Sequence, residues 1–300
     1  MTSARAFLAG LIDYAGLFPP ASLEMDAAVR AYADYRRWRE RDLLGRFVLP
    51  AARLDEFAES AAAVLPRGAA SQPWRLSVIG ASDMEQVKEK VLHFNRGHGN
   101  KSPAGHAVCD AIEVPVRSVE DIERALGIFP ESFQLFLEIP ASPDPEPLIS
   151  ALSGTRAAAK IRTGGVVAGA IPAAPDVLGF IVACSRHDVP FKATAGLHHA
   201  IRAMYPLTYE AHAPADLMYG YLNVFVAAAF ARLGMSEDSV LAILEETDPA
   251  AFQFDESGVR WRGTALSSAQ LASARHGFAL SFGSCSFTEP VAEAARLDLL

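Results

Sequence analysis

Short apolar runs alternate with longer amphipathic segments along nearly the whole chain, and few folds accommodate that rhythm. Each run has strand length and closes near Gly or Pro, while the longer segments repeat their apolar residues at helical spacing. The pattern reads as consecutive βα units around a parallel sheet. The strand candidates are Gly10 to Ala15, Arg46 to Pro50, Arg75 to Gly80, Cys109 to Val114, Gln134 to Ile139, Ala158 to Arg162, Pro190 to Thr194 and Phe278 to Gly283. Between them the spacing predicts helices over Leu23 to Arg41, Leu54 to Leu65, Asp83 to Asn95, Val119 to Leu126, Pro145 to Leu152 and Pro175 to Arg186, several opened by Ser or Asp caps. With right-handed crossovers the helices lie outside the sheet. The expected fold is therefore an α/β one, a (β/α)8 TIM-type barrel forming a single domain over residues 1–300. A length of 300 residues with 51% hydrophobic content suffices for one large core of this kind.

The rhythm breaks once. Leu197 to Gly277 is far longer than one crossover needs, so it reads as an insertion between strands 7 and 8. Within it Leu217 to Leu233 is strongly apolar, Ser236 to Glu246 has helical spacing, and Phe252 to Gly263 reads as a β-hairpin. Asn223, Gly220 and the run Ala227 to Ala229 fit a buried or dimer-forming helix better than a membrane span, which makes a homo-oligomer the expectation.

Charge narrows the class of partner. Against 35 Asp and Glu stand 27 Lys and Arg, a net charge of -8 with no basic block, so neither nucleic acid nor an anionic membrane is the expected partner. The three cysteines, Cys109, Cys184 and Cys285, are odd in number and widely spaced, which fits a reducing cytoplasm and no disulfide framework. The N-terminal apolar stretch is interrupted by Asp13 and is too short for export or anchoring.

In parallel barrels the chemistry sits at the carboxyl ends of the strands. Here those ends carry Asp13, Glu113, Glu138, Lys160 with Arg162, and Lys192 with Thr194. Side chains alternate along a strand, so Lys160 shares a face with Arg162 and Lys192 with Thr194, while Ile161 and Ala193 face the helices. A charge in an apolar strand costs several kcal/mol unless partnered, and Glu113 and Glu138 are the obvious partners. A lysine desolvated beside a second cation can lose its proton and attack a carbonyl as a free amine, which is Schiff-base chemistry. The same charges also suit a buried ion network that only fills the barrel.

Three segments, Phe136 to Pro140 (Phe-Leu-Glu-Ile-Pro), Ala159 to Gly165 (Ala-Lys-Ile-Arg-Thr-Gly-Gly) and Phe191 to Gly196 (Phe-Lys-Ala-Thr-Ala-Gly), together resemble barrels of the class I deoxyribose-phosphate aldolase type. The resemblance spans Phe136 to Gly196 only. It implies that Lys160, the strand-six lysine, forms the Schiff base and that Lys192, on strand seven, lowers its pKa. Arg162 stands where that family has a small residue, and the family lacks the insertion, so its substrate does not follow.

Several other groups belong to the candidate site. The glycine-bearing turns Arg162-Thr163-Gly164-Gly165, Thr194-Ala195-Gly196 and Phe282-Gly283-Ser284-Cys285-Ser286 offer backbone N–H groups to a phosphate or carboxylate. His198 and His199 would supply a base, an anion contact or two metal ligands, with Glu113, Glu138, His212 and Asp13 as further ligands. Tyr14 would protonate an oxyanion and Asp13 would shuttle protons. Cys285 lacks a recognisable triad.

The reading is a lyase that uses Lys160, Lys192, Glu138 and Glu113 on a small anionic carbonyl compound without a cofactor. A divalent-metal lyase or hydrolase using His198 and His199, and a non-catalytic anion-binding barrel, stand as alternatives.

Overall fold

A computed structural model describes residues 2–68, 71–99, 102 and 104–300. After a short helix α1 (Ser3–Leu8), seven strands follow in turn: β1 (Ile12–Tyr14), β2 (Leu44–Pro50), β3 (Trp74–Ile79), β4 (Ala107–Pro115), β5 (Gln134–Glu138), β6 (Ala158–Arg162) and β7 (Phe191–Thr194). The helices α2 (Met25–Tyr35), α3 (Leu54–Ala61), α4 (Met84–His98), α5 (Val119–Ile128), α6 (Glu146–Ser150) and α7 (Ala174–Arg186) alternate with them. A long segment then carries the hairpin β8 (Ala203–Pro206) and β9 (Ala215–Met218), helices α8 (Tyr221–Arg232) and α9 (Glu237–Leu244), the three-stranded sheet β10 (Phe252–Asp255), β11 (Gly258–Trp261) and β12 (Thr264–Ser267), and α10 (Ser268–Gly277). The last barrel strand is β13 (Ala279–Ser284), followed by α11 (Thr288–Arg296).

Strands β1 to β7 and β13 pair in parallel and close a barrel of eight, β1 lying between β2 and β13. This is the (β/α)8 barrel that the sequence rhythm predicts. Alternation then sorts the side chains. Ile161 and Ala193 point outward into the large core between strands and helices. Ala111, Phe136 and Ala158 point inward with Leu280 and form a small apolar floor inside the barrel.

The insertion divides between the two ends of the barrel. Helix α1 enters β1 from the amino-terminal end, and α10 enters β13 from the same end. The three-stranded sheet closes that end against α1: the Phe7 and Phe254 rings lie 5.4 Å apart, and Ser3 Oγ donates to the Gly258 carbonyl at 2.8 Å. The hairpin β8–β9 leaves from the carboxyl end of β7 instead.

The apolar segment Leu217 to Leu233 contains α8, and every residue from Tyr221 to Ala231 is buried inside its own chain. A helix apolar on all sides is spent on the core. Helix α8 itself therefore has no free apolar face to offer a second copy. Asn223 is buried there without penalty, donating to the Ile243 and Glu246 carbonyls at 2.9 and 2.8 Å and accepting from the Arg202 N–H. Among the described residues no helix is long and apolar enough to cross a membrane.

Candidate active site

Five barrel strands place charged side chains at one level. Glu138 pairs in register with Lys160, and Lys160 with Lys192, across β5, β6 and β7, while Glu113 rises from β4 and Asp13 from β1. The result is an unbroken chain of alternating charge. Asp13 Oδ2 accepts from Lys192 Nζ at 2.6 Å, and Lys192 Nζ also donates to Glu113 Oε1 at 2.6 Å. The other Glu113 oxygen takes Lys160 Nζ at 2.8 Å, and Lys160 continues to Glu138 Oε2 at 2.7 Å. At the rim Arg162 Nε lies 3.6 Å from Glu138 Oε1.

Three carboxylates thus face three cations. Each buried ion loses several kcal/mol of hydration, and only close, well-bonded opposite charges offset that loss. Two serines complete the bonding: Ser77 Oγ donates to Glu113 at 2.6 Å and Ser281 Oγ to Asp13 at 2.9 Å. The Arg46 backbone N–H fixes the remaining Asp13 oxygen at 2.6 Å. Lys192 Nζ also lies 5.2 Å from the centre of the Phe136 ring in the floor below, within cation–π range.

The protonation states follow from this bonding. Burial alone would raise the Glu113 carboxyl, but the charges of Lys160 and Lys192 outweigh it and hold the group well below the usual carboxylate range. Glu138 is likewise lowered, burial opposing and Lys160 and Arg162 prevailing. Burial works against the Lys160 ammonium, yet Glu113 and Glu138 together raise it above the ordinary lysine value. This corrects the expectation of a free amine whose pKa Lys192 depresses. Glu113 stands between the two ammonium groups, so in the unliganded site Lys160 is charged.

Above this layer opens a cavity of about 360 Å³. Its polar lining comprises Glu113, Glu138, Lys160, Arg162, Lys192, Thr194, His198 and Cys285; its apolar lining is short and aliphatic except for Phe18. Gly165 and Gly283 also line it.

Of the three glycine turns expected to offer an anion cradle, the first two are packed against one another. A Cβ on Gly164 would lie 2.9 Å from the Gly196 Cα, and Gly196 itself has φ +78, so glycine is required for the two loops to touch. Thr163 is buried and donates its hydroxyl to the Ala195 carbonyl at 2.7 Å and its N–H to the Thr194 carbonyl at 2.9 Å. In the third turn Ser284 Oγ accepts the Ser286 N–H at 3.3 Å and lies 3.1 Å from His198 Nδ1. Thr163, Gly164 and Gly196 thus join the two loops, and Ser284 contacts His198.

The two histidines diverge. His198 lines the cavity, with Cys285 Sγ 3.8 Å and Glu289 Oε2 3.6 Å from its Nδ1. His199 turns to the outer helix, bonding Glu293 at 2.7 Å and stacking on Tyr205. Exposed His212 lies in the hairpin loop. The expected pair of metal ligands is thus not assembled, and no cluster of three or more His, Cys, Asp or Glu is placed to hold a metal among the described residues. Burial, with the charge of His199, pulls His198 down to about 4, so its imidazole is neutral at neutral pH. Burial pushes the Cys285 thiol up to about 11, which leaves no thiolate for nucleophilic attack.

Tyr14 also departs from expectation. Its neighbour Asp13 points into the barrel, so Tyr14 points out, among Tyr32, Tyr35 and Phe47, away from the cavity lining. Its buried hydroxyl has no hydrogen-bond partner among the described residues, and burial raises its pKa.

Ser77 and Ser281 escaped the sequence reading. Each is a hydroxyl with an apolar residue on either side in its strand, Leu76 and Val78 around Ser77 and Leu280 and Phe282 around Ser281, and that signal would have found them. Tyr209 and Glu289, joined by a 3.0 Å bond beside His198, carry no such signal.

Comparison with protein-family models finds no match for the chain, and comparison with curated proteins finds none either. The fold is compatible with an enzyme, and the chemistry must be read from the site itself.

Proposed function

We propose that this chain is a lyase that cleaves or forms a carbon–carbon bond in a small anionic carbonyl compound through an imine on Lys160. The observation that carries the reading is that Lys160 Nζ, on the cavity wall, shares its proton with a carboxylate reachable from the cavity. The Glu138 side chain is 21% exposed, whereas Asp13 and Glu113, which hold Lys192, are each 1% exposed. Lys160 can exchange one partner for a substrate; Lys192 is clamped on both sides and serves as a fixed cation.

When a carbonyl compound fills the cavity and excludes water, the separated charges of Lys160 and Glu138 are less well supported, and the neutral amine–acid pair gains relative to them. The proton moves from Nζ to Glu138 Oε2. The amine attacks the carbonyl carbon and Glu138 returns its proton to the oxygen; a second proton then passes from the nitrogen through Glu138 to that hydroxyl, and water leaves to give the iminium. The resulting iminium accepts the electron pair of the breaking carbon–carbon bond and becomes an enamine, so no separate cofactor is needed as an electron sink. A carboxylate of the network takes the proton from the hydroxyl group on the departing carbon, which leaves as a carbonyl compound. Protonation of the enamine and hydrolysis of the imine regenerate Lys160.

The test is reduction with borohydride in the presence of a panel of 2-oxo acids, aldehydes and sugar phosphates, followed by peptide mass mapping. One adduct is expected, on Lys160, absent from Lys160→Ala and still formed by a variant of a half-buried lysine on α4, Lys90→Ala. Failure of every carbonyl to add, or an adduct spread over surface lysines, contradicts the proposal.

A further inference from the structure

The geometry points to a carboxylate, not a phosphate, as the anionic group this cavity selects, with Arg162 as the residue that recognises it. The inference rests on the Schiff-base reading for its chemistry but on separate observations for the anion.

Phosphate needs several converging donors, and several of the rim's donors are committed elsewhere. Gly164 and Gly196 pack on each other, and the Thr163 N–H and hydroxyl are bonded to the neighbouring turn. In the last turn the Ser286 N–H is taken by Ser284 and the Glu289 N–H by Ser286. The first turn of α11 then presents a carboxylate, Glu289, beside cavity-lining His198, which is itself held neutral. A dianion placed there would meet a like charge.

On the cavity wall one guanidinium is only loosely paired. Of the Lys and Arg side chains lining the cavity, Lys160 and Lys192 each have two close carboxylates, whereas the ion-pair contact of Arg162 among the described residues is the single 3.6 Å approach to Glu138. Its side chain is 56% exposed, on the same strand face as Lys160. Two parallel N–H donors of a guanidinium match the two oxygens of a carboxylate. The remaining wall, Ala15, Val48, Ile79, Val114 and Val166 among others, suits a short aliphatic body. The ligand class is therefore a small 2-oxo monocarboxylate, or an aldol built from one.

Recognition and activation are then one event. A substrate carboxylate draws Arg162 from Glu138 Oε1, which removes one of the two cations that keep Glu138 ionised. Glu138 can then accept the Lys160 proton along their 2.7 Å bond, giving an amine and a carboxylic acid with no change in net charge.

Borohydride trapping rates measured by intact mass with 2-oxobutanoate, 2-oxobutanamide and dihydroxyacetone phosphate test the inference. The acid is expected to add at least ten times faster than the amide or the phosphate. Arg162→Ala should bring the acid to the amide's rate, and Arg162→Lys should recover part of the difference, with thermal unfolding confirming that both variants fold. A phosphate trapped as fast as the acid, or an unchanged acid-to-amide ratio in Arg162→Ala, overturns it. If no carbonyl is trapped at all, the Schiff-base reading fails, and calorimetric titration with carbonyl-free 2-hydroxybutanoate and with inorganic phosphate decides the anion alone. Binding of the hydroxy acid that is lost in Arg162→Ala supports the carboxylate site; no binding, binding retained in the variant, or preference for phosphate refutes it.

Discussion

The barrel buries positive charge at both ends and does so in two different ways. At the amino-terminal end Arg275 is fully enclosed by α1, α10 and the strands above them. Its guanidinium donates to the Phe7 carbonyl at 2.7 Å, the Leu280 carbonyl at 3.1 Å, and the Ala9 and Ala279 carbonyls, over the rings of Phe7 and Phe225. No carboxylate touches it among the described residues. Burial lowers it to about 9, the charge of Asp13 opposing, so the cation persists at neutral pH. At the carboxyl end two lysines lie under an open cavity, and their partners are carboxylates.

The difference is one of chemistry. Carbonyl dipoles hold a cation but cannot take its proton, whereas a carboxylate can do both. The closed end is thus suited to stabilising the chain and the open end to moving protons.

The largest effect expected from testing that contrast is at Glu113, the one carboxylate shared by both lysines. Glu113→Gln leaves two buried ammonium groups short of a counter-charge and should cost about 3–5 kcal/mol in denaturant unfolding. A loss under about 1 kcal/mol would mean that the network is far more solvated than its geometry implies. Arg275→Met should cost less, about 1–3 kcal/mol, because the charge leaves with the donors and only carbonyls are stranded. Its rate of imine formation at Lys160 should match the wild type. If a folded Arg275→Met lost that rate, the division between a structural end and a chemical end would be broken.

Acid should expose a third asymmetry, smaller again. His198 is lowered in the folded chain to about 4 from an ordinary 6.5, so the unfolded chain binds more protons between those values. Stability is therefore complete above pH 6.5 and falls as pH drops towards 4. Glu113 and Glu138, lowered from 4.5, contribute stability above that value and lose it as pH falls further. Melting temperature followed from pH 7 to 4 should decline, with a shallower slope in His198→Gln; an equal slope would assign the decline elsewhere. The smallest change is expected from Tyr14→Phe. Deleting a buried hydroxyl that has no partner among the described residues should leave stability within about 1 kcal/mol, or raise it, and should not slow imine formation. A slowed reaction would return Tyr14 to the site.

The eight strands were legible because period-two and helical patterns alternate so regularly, and the inward facing of Lys160 and Lys192 followed from parity. The same parity already separates Asp13 from Tyr14, since adjacent strand residues face opposite ways; grouping both at the rim overlooked it. The state of Lys160 was not legible. It depends on Glu113 reaching across the barrel from β4 to stand between two lysines that register pairs side by side, a relation set by closure of the sheet and not by spacing in the chain. Glycine after a strand permits both an open cradle and a close loop contact, and only the approach of Gly164 to Gly196 decides between them. The burial of α8 was half legible: a helix apolar on every side must be covered, but the sequence does not say by what.

The account rests on Lys160 giving up its proton when a carbonyl compound binds, and a crystal structure of the protein reduced with borohydride in the presence of 2-oxobutanoate tests that most directly. The expected density runs unbroken from Lys160 Nζ to the second carbon of the acid, with Arg162 turned from Glu138 onto the acid's carboxylate and Lys192 still held by Asp13 and Glu113. Density joined to Lys192 instead, or an empty cavity with Lys160 still between Glu113 and Glu138, would contradict it.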